Sequence, residues 1–187
     1  STAQPNAPDN VSGTIICAGT GSGKTLAFYL PALVHLAGTL EAGSDAWTRA
    51  LAVYPRNELL KDQFSEVCAR LGLVNSVLKR WHKRGLRVGA FFGDTPKNGP
   101  HLDAENSKLT WVRQGAGWVC NFLRCPTEAC AGQMVWNDSD RKNGLERLVC
   151  SRCKTVLDQE TIVITRDRMR EKPPDILFTS TEMMNAV

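Results

Sequence analysis

Four short apolar runs punctuate the chain: Thr14-Ile15-Ile16-Cys17, Ala50-Leu51-Ala52-Val53-Tyr54, Leu86-Arg87-Val88-Gly89-Ala90-Phe91-Phe92 and Pro174-Asp175-Ile176-Leu177-Phe178. Runs of this length without strict polar alternation predict strands buried on both faces, as in a parallel sheet, and the first of them places Cys17 in the core. Between the first two lies the continuous apolar stretch Leu26 to Val34, and after the second, Phe64, Val67, Cys68 and Leu71 recur at helical spacing. That spacing predicts a helix that buries Cys68. A strand, helix, strand order with crossovers of this length implies parallel pairing. After the fourth run, Thr179 and Glu182 have the spacing of a capping box, which predicts a helix starting at the sheet edge. Residues Ser1 to Ser12 are polar, contain Pro5 and Pro8, and read as a linker or disordered arm.

The turn after the first run is Ala18-Gly19-Thr20-Gly21-Ser22-Gly23-Lys24-Thr25. Glycines at 19, 21 and 23 let the backbone curl until its N–H groups face one anion, and the next helix presents its N-terminus to the same place. This is the pattern of a phosphate-binding loop. Gly19, Thr20, Gly21, Ser22 and Gly23 would cradle the phosphates of ATP. Lys24 would reach the β and γ phosphates, and the Thr25 hydroxyl would ligate Mg²⁺. The first glycine of the general pattern is replaced here by Ala18.

Where the second strand ends, Pro55-Arg56-Asn57 leads into a helix, placing polar groups and free N–H donors at the ligand-facing edge of the sheet. Gly93-Asp94-Thr95-Pro96 follows the third strand. At 187 residues and 42% hydrophobic content the chain can bury a real core, most simply as one domain with an insertion. The net charge of +4 is mild, so bulk charge hardly argues for nucleic acid. Two basic runs say slightly more: Lys79, Arg80, His82, Lys83, Arg84 and Arg87 surround Trp81, and Arg166, Arg168, Arg170 and Lys172 form the second. Each reads equally as a track for a phosphate backbone or as a solvated helix face. The apolar segment after the loop is too short to span a bilayer, and the N-terminus has no signal pattern, which predicts a cytoplasmic protein without membrane contact.

Between Pro96 and Arg166 the character changes, with cysteine, tryptophan and short β-branched runs replacing the α/β alternation. Cys125 with Cys130 and Cys150 with Cys153 form two knuckles, separated by a stretch within the roughly 15–20 residues typical of zinc ribbons. Four thiolates suit a closed, tetrahedral, structural Zn²⁺, the alternative being reduced unligated thiols. The seven cysteines are odd in number and there is no secretion signal, which argues against a disulfide framework. Gln133 to Trp136, Leu145 to Val149 and Thr161 to Thr165 are the expected ribbon strands, with Cys120 a spare thiol. So small a unit would depend on its metal for folding. Trp111, Trp118 and Trp136, with Arg141, Lys142, Arg147, Arg152 and Lys154, would either stack on single-stranded nucleic acid or pack on the rest of the chain or a partner protein.

The form A-x-x-G-x-G-K-T resembles motif I of the superfamily 2 helicases, the DEAD/DEAH-box motors. Y-P-x-x-x-L-x-x-D-Q, G-D-T-P and P-D-I-L-x-T-x-x-E-M, in that order, are similar to the branch containing bacterial mitomycin-repair helicases and large helicases of antiphage defence. The resemblance runs from about Gly13 to Asn185, with Ser180, Thr181 and Met184 departing from the branch pattern. It implies an α/β parallel-sheet P-loop NTPase (RecA-like) lobe over residues 13–106 and 166–187, interrupted by an insertion at 107–165 that the cysteine spacing makes a zinc ribbon. It also implies that Pro55, Arg56, Asn57, Gly93, Asp94 and Thr179 contact nucleic acid, DNA by the branch. No Asp-Glu-x-His or Asp-Glu-x-Asp segment follows Thr179, and no second RecA-like lobe follows. The expectation is therefore an incomplete motor lobe, catalytic only with further sequence and a second lobe of the same polypeptide. The alternative is a non-motor nucleotide-binding adaptor whose ribbon recruits a partner.

Overall fold

The computed structural model describes residues 13–17, 24–41 and 45–185, with the side chains of Lys24 and Leu26 excepted. The arm at 1–12 and the glycine turn at 18–23 lie outside the described residues. Four strands form a parallel sheet in the order β1 (Ala50–Tyr54), β9 (Ile176–Ser180), β2 (Val88–Phe91), β8 (Ile162–Val163). Helices α1 (Lys24–Thr39) and α2 (Asn57–Arg80) cover one face. On α2 the buried positions Leu60, Phe64, Val67, Cys68, Leu71 and Leu78 keep the helical spacing read from the sequence. Glu58 in its first turn and Lys79 and Arg80 in its last complement the helix dipole. The short α4 (Arg166–Glu171) packs on the opposite face, where Gly89 leaves room for it. A Cβ at Gly89 would stand 3.0 Å from Pro174 Cγ and 3.1 Å from Met169 Cε.

A second, antiparallel sheet runs in simple order: β3 (Val112–Gln114), β4 (Gly117–Arg124), β5 (Gln133–Asn137), β6 (Leu148–Cys150), β7 (Val156–Leu157). Helix α3 (Asp138–Lys142) connects β5 to β6. Its core is continuous with that of the parallel sheet. Phe122 of β4 meets Phe64 of α2 at 6.0 Å between ring centroids, Phe92 at 5.2 Å and Trp111 at 5.6 Å.

Several sequence expectations change in three dimensions. Thr14 to Cys17 form no strand and lie exposed, with Ile15 at 90%, because no strand among the described residues pairs with them. An unpaired strand leaves its backbone polar groups unsatisfied, so the β-branched run alone does not form one. Cys17 is accordingly exposed rather than in the core. Thr161 to Thr165 do not extend the ribbon: Ile162 and Val163 pair in parallel with Val88 and Gly89. The capping box at Thr179 does not form, since β9 continues to Ser180 and the Thr179 hydroxyl donates across the sheet to the Phe91 carbonyl at 2.9 Å. The terminal helix α5 (Thr181–Asn185) starts beyond it.

Most of the basic runs are spent on the fold. The side chains of Arg84 and Arg49 and the backbone amide of Arg87 converge on Asp175, which is fully buried at the N-terminal edge of the parallel sheet. Arg49 Nη1 donates to Asp175 Oδ1 at 2.6 Å, Arg84 donates to both carboxylate oxygens at 2.7 Å, and the Arg87 amide donates to Oδ2 at 2.9 Å. Lys83 caps the end of α1 through the carbonyls of Ala37 and Gly38. Arg166 donates to the carbonyls of Thr95 and Phe92, and Lys172 pairs with Glu160. Lys79, Arg80, Trp81 and His82 stay exposed at the end of α2.

Candidate nucleotide and nucleic-acid face, and the cysteine cluster

The C-terminal ends of β1, β9 and β2 open on one edge of the parallel sheet, and most of the candidate residues gather there. Helix α1 begins at Lys24, with Thr25 half-buried in its first turn. Gly19, Thr20, Gly21, Ser22 and Gly23 belong to the turn outside the described residues. Behind the edge, Tyr29 of α1 and Tyr54 of β1 share a hydroxyl hydrogen bond, and both rings stack on Phe178 at 5.8 and 6.2 Å. Burial pushes both phenols above their usual range, so the pair acts as neutral scaffolding.

Pro55 and Arg56 form the bend from β1 into α2, Arg56 extended and exposed, and Asn57 opens the helix. Among the described residues the buried Asn57 Oδ1 has no hydrogen-bond partner, and neither does Ser180 Oγ at the end of β9. At this edge a ligand or water can supply the missing partners in use. Gly93 is exposed, while Asp94 is 8% exposed and engaged. Lys61 donates to Asp94 Oδ2 at 3.0 Å, the Thr110 amide to Oδ1 at 3.1 Å, and Trp111 Nε1 to the Asp94 carbonyl at 3.0 Å. Thr179, buried in β9, faces the same edge with its hydroxyl already donated.

The four cysteine sulfurs of Cys125, Cys130, Cys150 and Cys153 lie within 4.8 Å of one another. Cys125 and Cys153 are 3.4 Å apart and Cys130 and Cys150 are 3.7 Å apart. These separations are too long for disulfides, but four sulfurs held about 2.3 Å from one tetrahedral centre stand about 3.8 Å from each other. The surrounding backbone fits a metal knuckle. The Gly132 amide donates to Cys130 Sγ at 3.4 Å, and a Cβ at Gly132 would sit 2.3 Å from Cys150 Sγ, so only glycine fits. Ala129, just before Cys130, and Lys154, just after Cys153, take left-handed backbone angles that turn the chain at each knuckle. The hydroxyls of Thr127 and Thr155 bring Cys153 down to about 5, whereas burial pushes its neighbour Cys125 up to about 12, so the thiolate that a metal requires is favoured first at Cys153. Gly132 and Thr155, each two residues past a cysteine, are the signals in the sequence that go with these knuckles. Cys120 is buried away from the cluster and is not a competing ligand.

The inserted sheet offers little to a base. Trp111 and Trp136 are buried and tilted against each other at 6.1 Å, so neither can serve as the stacking platform expected from the sequence. Arg141 is buried, bonding Asp103, Asp138 and the Gly99 carbonyl, and Arg147 grips Asp140 with two hydrogen bonds. Trp118 is half-buried beneath Arg113, at 5.5 Å. Among the described residues no helix is long and apolar enough to cross a membrane.

The sequence profile of the DEAD/DEAH box helicases matches residues 2–107. The chain belongs to that family. The profile match covers the glycine turn, α1, β1, α2 and β2, and stops before the antiparallel sheet of this helicase segment begins at Val112. The Druantia protein DruE of Escherichia coli (strain UMEA 4076-1) is 25% identical over 94% of the chain, which corresponds to 11% of that protein. The DEAD-box ATP-dependent RNA helicase 30 of Arabidopsis thaliana is 33% identical over 57% of the chain and 16% of its own length. The chain thus spans a small fraction of both relatives. No solved structure matches it significantly.

Proposed function

We propose that this helicase-family chain is the ATP-binding portion of an ATP-dependent DNA helicase or translocase of the antiphage-defence type. The observation that carries the reading is the family match across a parallel sheet whose C-terminal edge receives the start of α1 at Lys24 and the Pro55-Arg56-Asn57 bend. In this reading the N–H groups of Gly19 to Gly23 and the Lys24 ammonium hold the triphosphate, and Thr25 holds Mg²⁺. Pro55, Arg56, Asn57, Gly93 and the Thr179 region line the path of the phosphodiester backbone. DNA is favoured by the branch resemblance, and the Arabidopsis relative, named an RNA helicase, makes RNA the control substrate.

The sheet also supports the need for further sequence. Among the described residues no strand pairs with the outer edge of β1, and Leu51 and Val53, which project from one face of that strand, are 52% and 39% exposed. A further parallel strand laid there would cover the edge and could carry the carboxylates that position water for hydrolysis. Residues 1–187 alone should therefore show no ATP turnover stimulated by single-stranded DNA or RNA, while the full-length parent is stimulated. A steady-state assay of both decides this, and stimulated turnover by the isolated chain would mean that the catalytic groups lie within it.

The cysteine cluster fits one structural Zn²⁺ held by Cys125, Cys130, Cys150 and Cys153, which would cross-link the two knuckles. Metal analysis of protein purified without chelator should return about one Zn²⁺ per chain. Because Phe122, Met134, Trp136 and Leu148 already bury the body of the inserted sheet, Cys150→Ser should lower metal content and loosen only the knuckle end. Amide exchange would then rise at 125–132 and 150–155 with β2 and β9 unchanged. Metal-free protein with both knuckles protected would remove the zinc reading.

A further inference from the structure

Asp94 stands where three parts of the chain meet. Its carboxylate is shared between Lys61 of α2 and the backbone of Thr110 in the inserted segment, and its carbonyl receives the Trp111 indole. The turn that carries it is pinned from below: Thr95 Oγ1 donates to the Ala90 carbonyl at 2.6 Å and accepts from the Phe92 amide at 3.1 Å. Lys61 also lies 5.7 Å from the centroid of the Phe92 ring. Four residues before Lys61, α2 begins at Asn57, beside the bend that lines the proposed nucleic-acid path. The inserted sheet grips the same helix again one turn on, where the Arg124 amide donates to Ser65 Oγ at 3.1 Å and Arg124 pairs with Asp62 at 3.2 Å. Arg124 directly precedes Cys125.

A carboxylate is a poor partner for a phosphodiester, and both oxygens of this one are occupied within the chain. We propose that Asp94 is a positioning residue: by joining Lys61 to the inserted segment it holds the Gly93 turn and the opening turns of α2 in one fixed relation, and so sets how strongly nucleic acid engages this face. The proposal rests on the nucleic-acid reading above. The inserted sheet is then a brace for the motor's nucleic-acid face rather than a separate binding module. Its exposed surface is not required to touch the strand.

The test uses the full-length parent and the single-stranded DNA concentration that half-saturates its ATP turnover. Asp94→Asn keeps an acceptor for the Thr110 amide but loses the charge that holds Lys61, and Lys61→Met keeps the stem over Phe92 but loses the ammonium. Each should raise the half-saturating concentration about tenfold while the saturated rate changes by less than about twofold. The double variant should be no worse than either single one, because both remove the same link. Trp111→Phe, which keeps the packed ring and removes the indole donor, should shift the concentration in the same direction by a smaller factor. Additive effects of Asp94→Asn and Lys61→Met, or a lowered melting temperature with the half-saturating concentration unmoved, would overturn the proposal. A wild-type parent that nucleic acid does not stimulate would instead remove the motor reading itself, so the two failures are distinguishable.

Discussion

Lys24→Ala in the full-length parent should abolish ATP turnover, lowering it by at least about 10²–10³-fold, the scale on which a single preorganised group facing transferring charge acts. The physical reason is the placement of one cation at the first residue of α1, where the helix N-terminus already favours an anion. As charge spreads over the γ-phosphoryl oxygens, backbone N–H dipoles can share it but cannot replace a full positive charge. The buried positions of α1 among the described residues, Tyr29, Leu33 and Leu36, lie five or more residues beyond Lys24, so circular dichroism and the melting temperature should be those of the wild type. Thr25→Ala should produce a related loss that higher Mg²⁺ partly relieves. Turnover by Lys24→Ala at the wild-type rate would show that the glycine turn is only a connection between two elements.

Asp175→Ala should be the most destabilising single substitution of a charged residue in this chain, at about 3–5 kcal/mol, because it removes the buried carboxylate that two poorly exposed arginines share. The side chains of Arg49 and Arg84 are only 10% and 18% exposed, and Asp175 is fully buried between them. The same residue joins the starts of three neighbouring strands. Its carbonyl accepts the amides of Arg49 and Ala50 before and in β1, its amide donates to the Arg87 carbonyl before β2, and β9 follows it directly. Asp175→Asn keeps the shape and one acceptor and should cost less than the alanine variant. Urea unfolding of residues 1–187 reads the difference through the transition midpoint. A loss within the range of an exposed surface pair, under about 1 kcal/mol, would mean the arginines find solvent or other partners without unfolding the sheet edge.

Both predictions rest on residues that the sequence displays very differently. Lys24 announces itself through the glycines before it and the apolar helix after it. In the sequence Asp175 is only part of a strand, because nothing local reveals that Arg49 and Arg84, far away along the chain, will converge on it. The same division runs through the rest of the molecule. The runs at 50–54, 86–92 and 174–178 and the helical spacing of Phe64, Val67, Cys68 and Leu71 are local patterns, and local patterns determine which segments become strands or helices and which faces they bury. The paired cysteines likewise carry their own spacing, so the cluster is legible in the sequence, and in the fold its sulfurs lie within 4.8 Å of one another.

What depends on partners distant in sequence was decided only by the tertiary structure. Thr14 to Cys17 have the composition of a strand but no paired neighbour among the described residues, whereas Ile162 and Val163 find one in β2 and leave the ribbon for the parallel sheet. Thr179 has the residue type and spacing of a cap, yet the pairing of β9 with β2 brings its hydroxyl to the Phe91 carbonyl first. Trp111 and Trp136 have the composition of a base-stacking surface, and packing against Phe122 and each other buries them instead. Composition and spacing alone therefore determined most of the element types, the glycine-rich turn before α1 and the four-cysteine set of this chain. Strand neighbours, the fate of each charge and the fusion of the inserted sheet with the helicase core came from folding, because hydrogen-bond pairing and burial are settled between segments rather than within them.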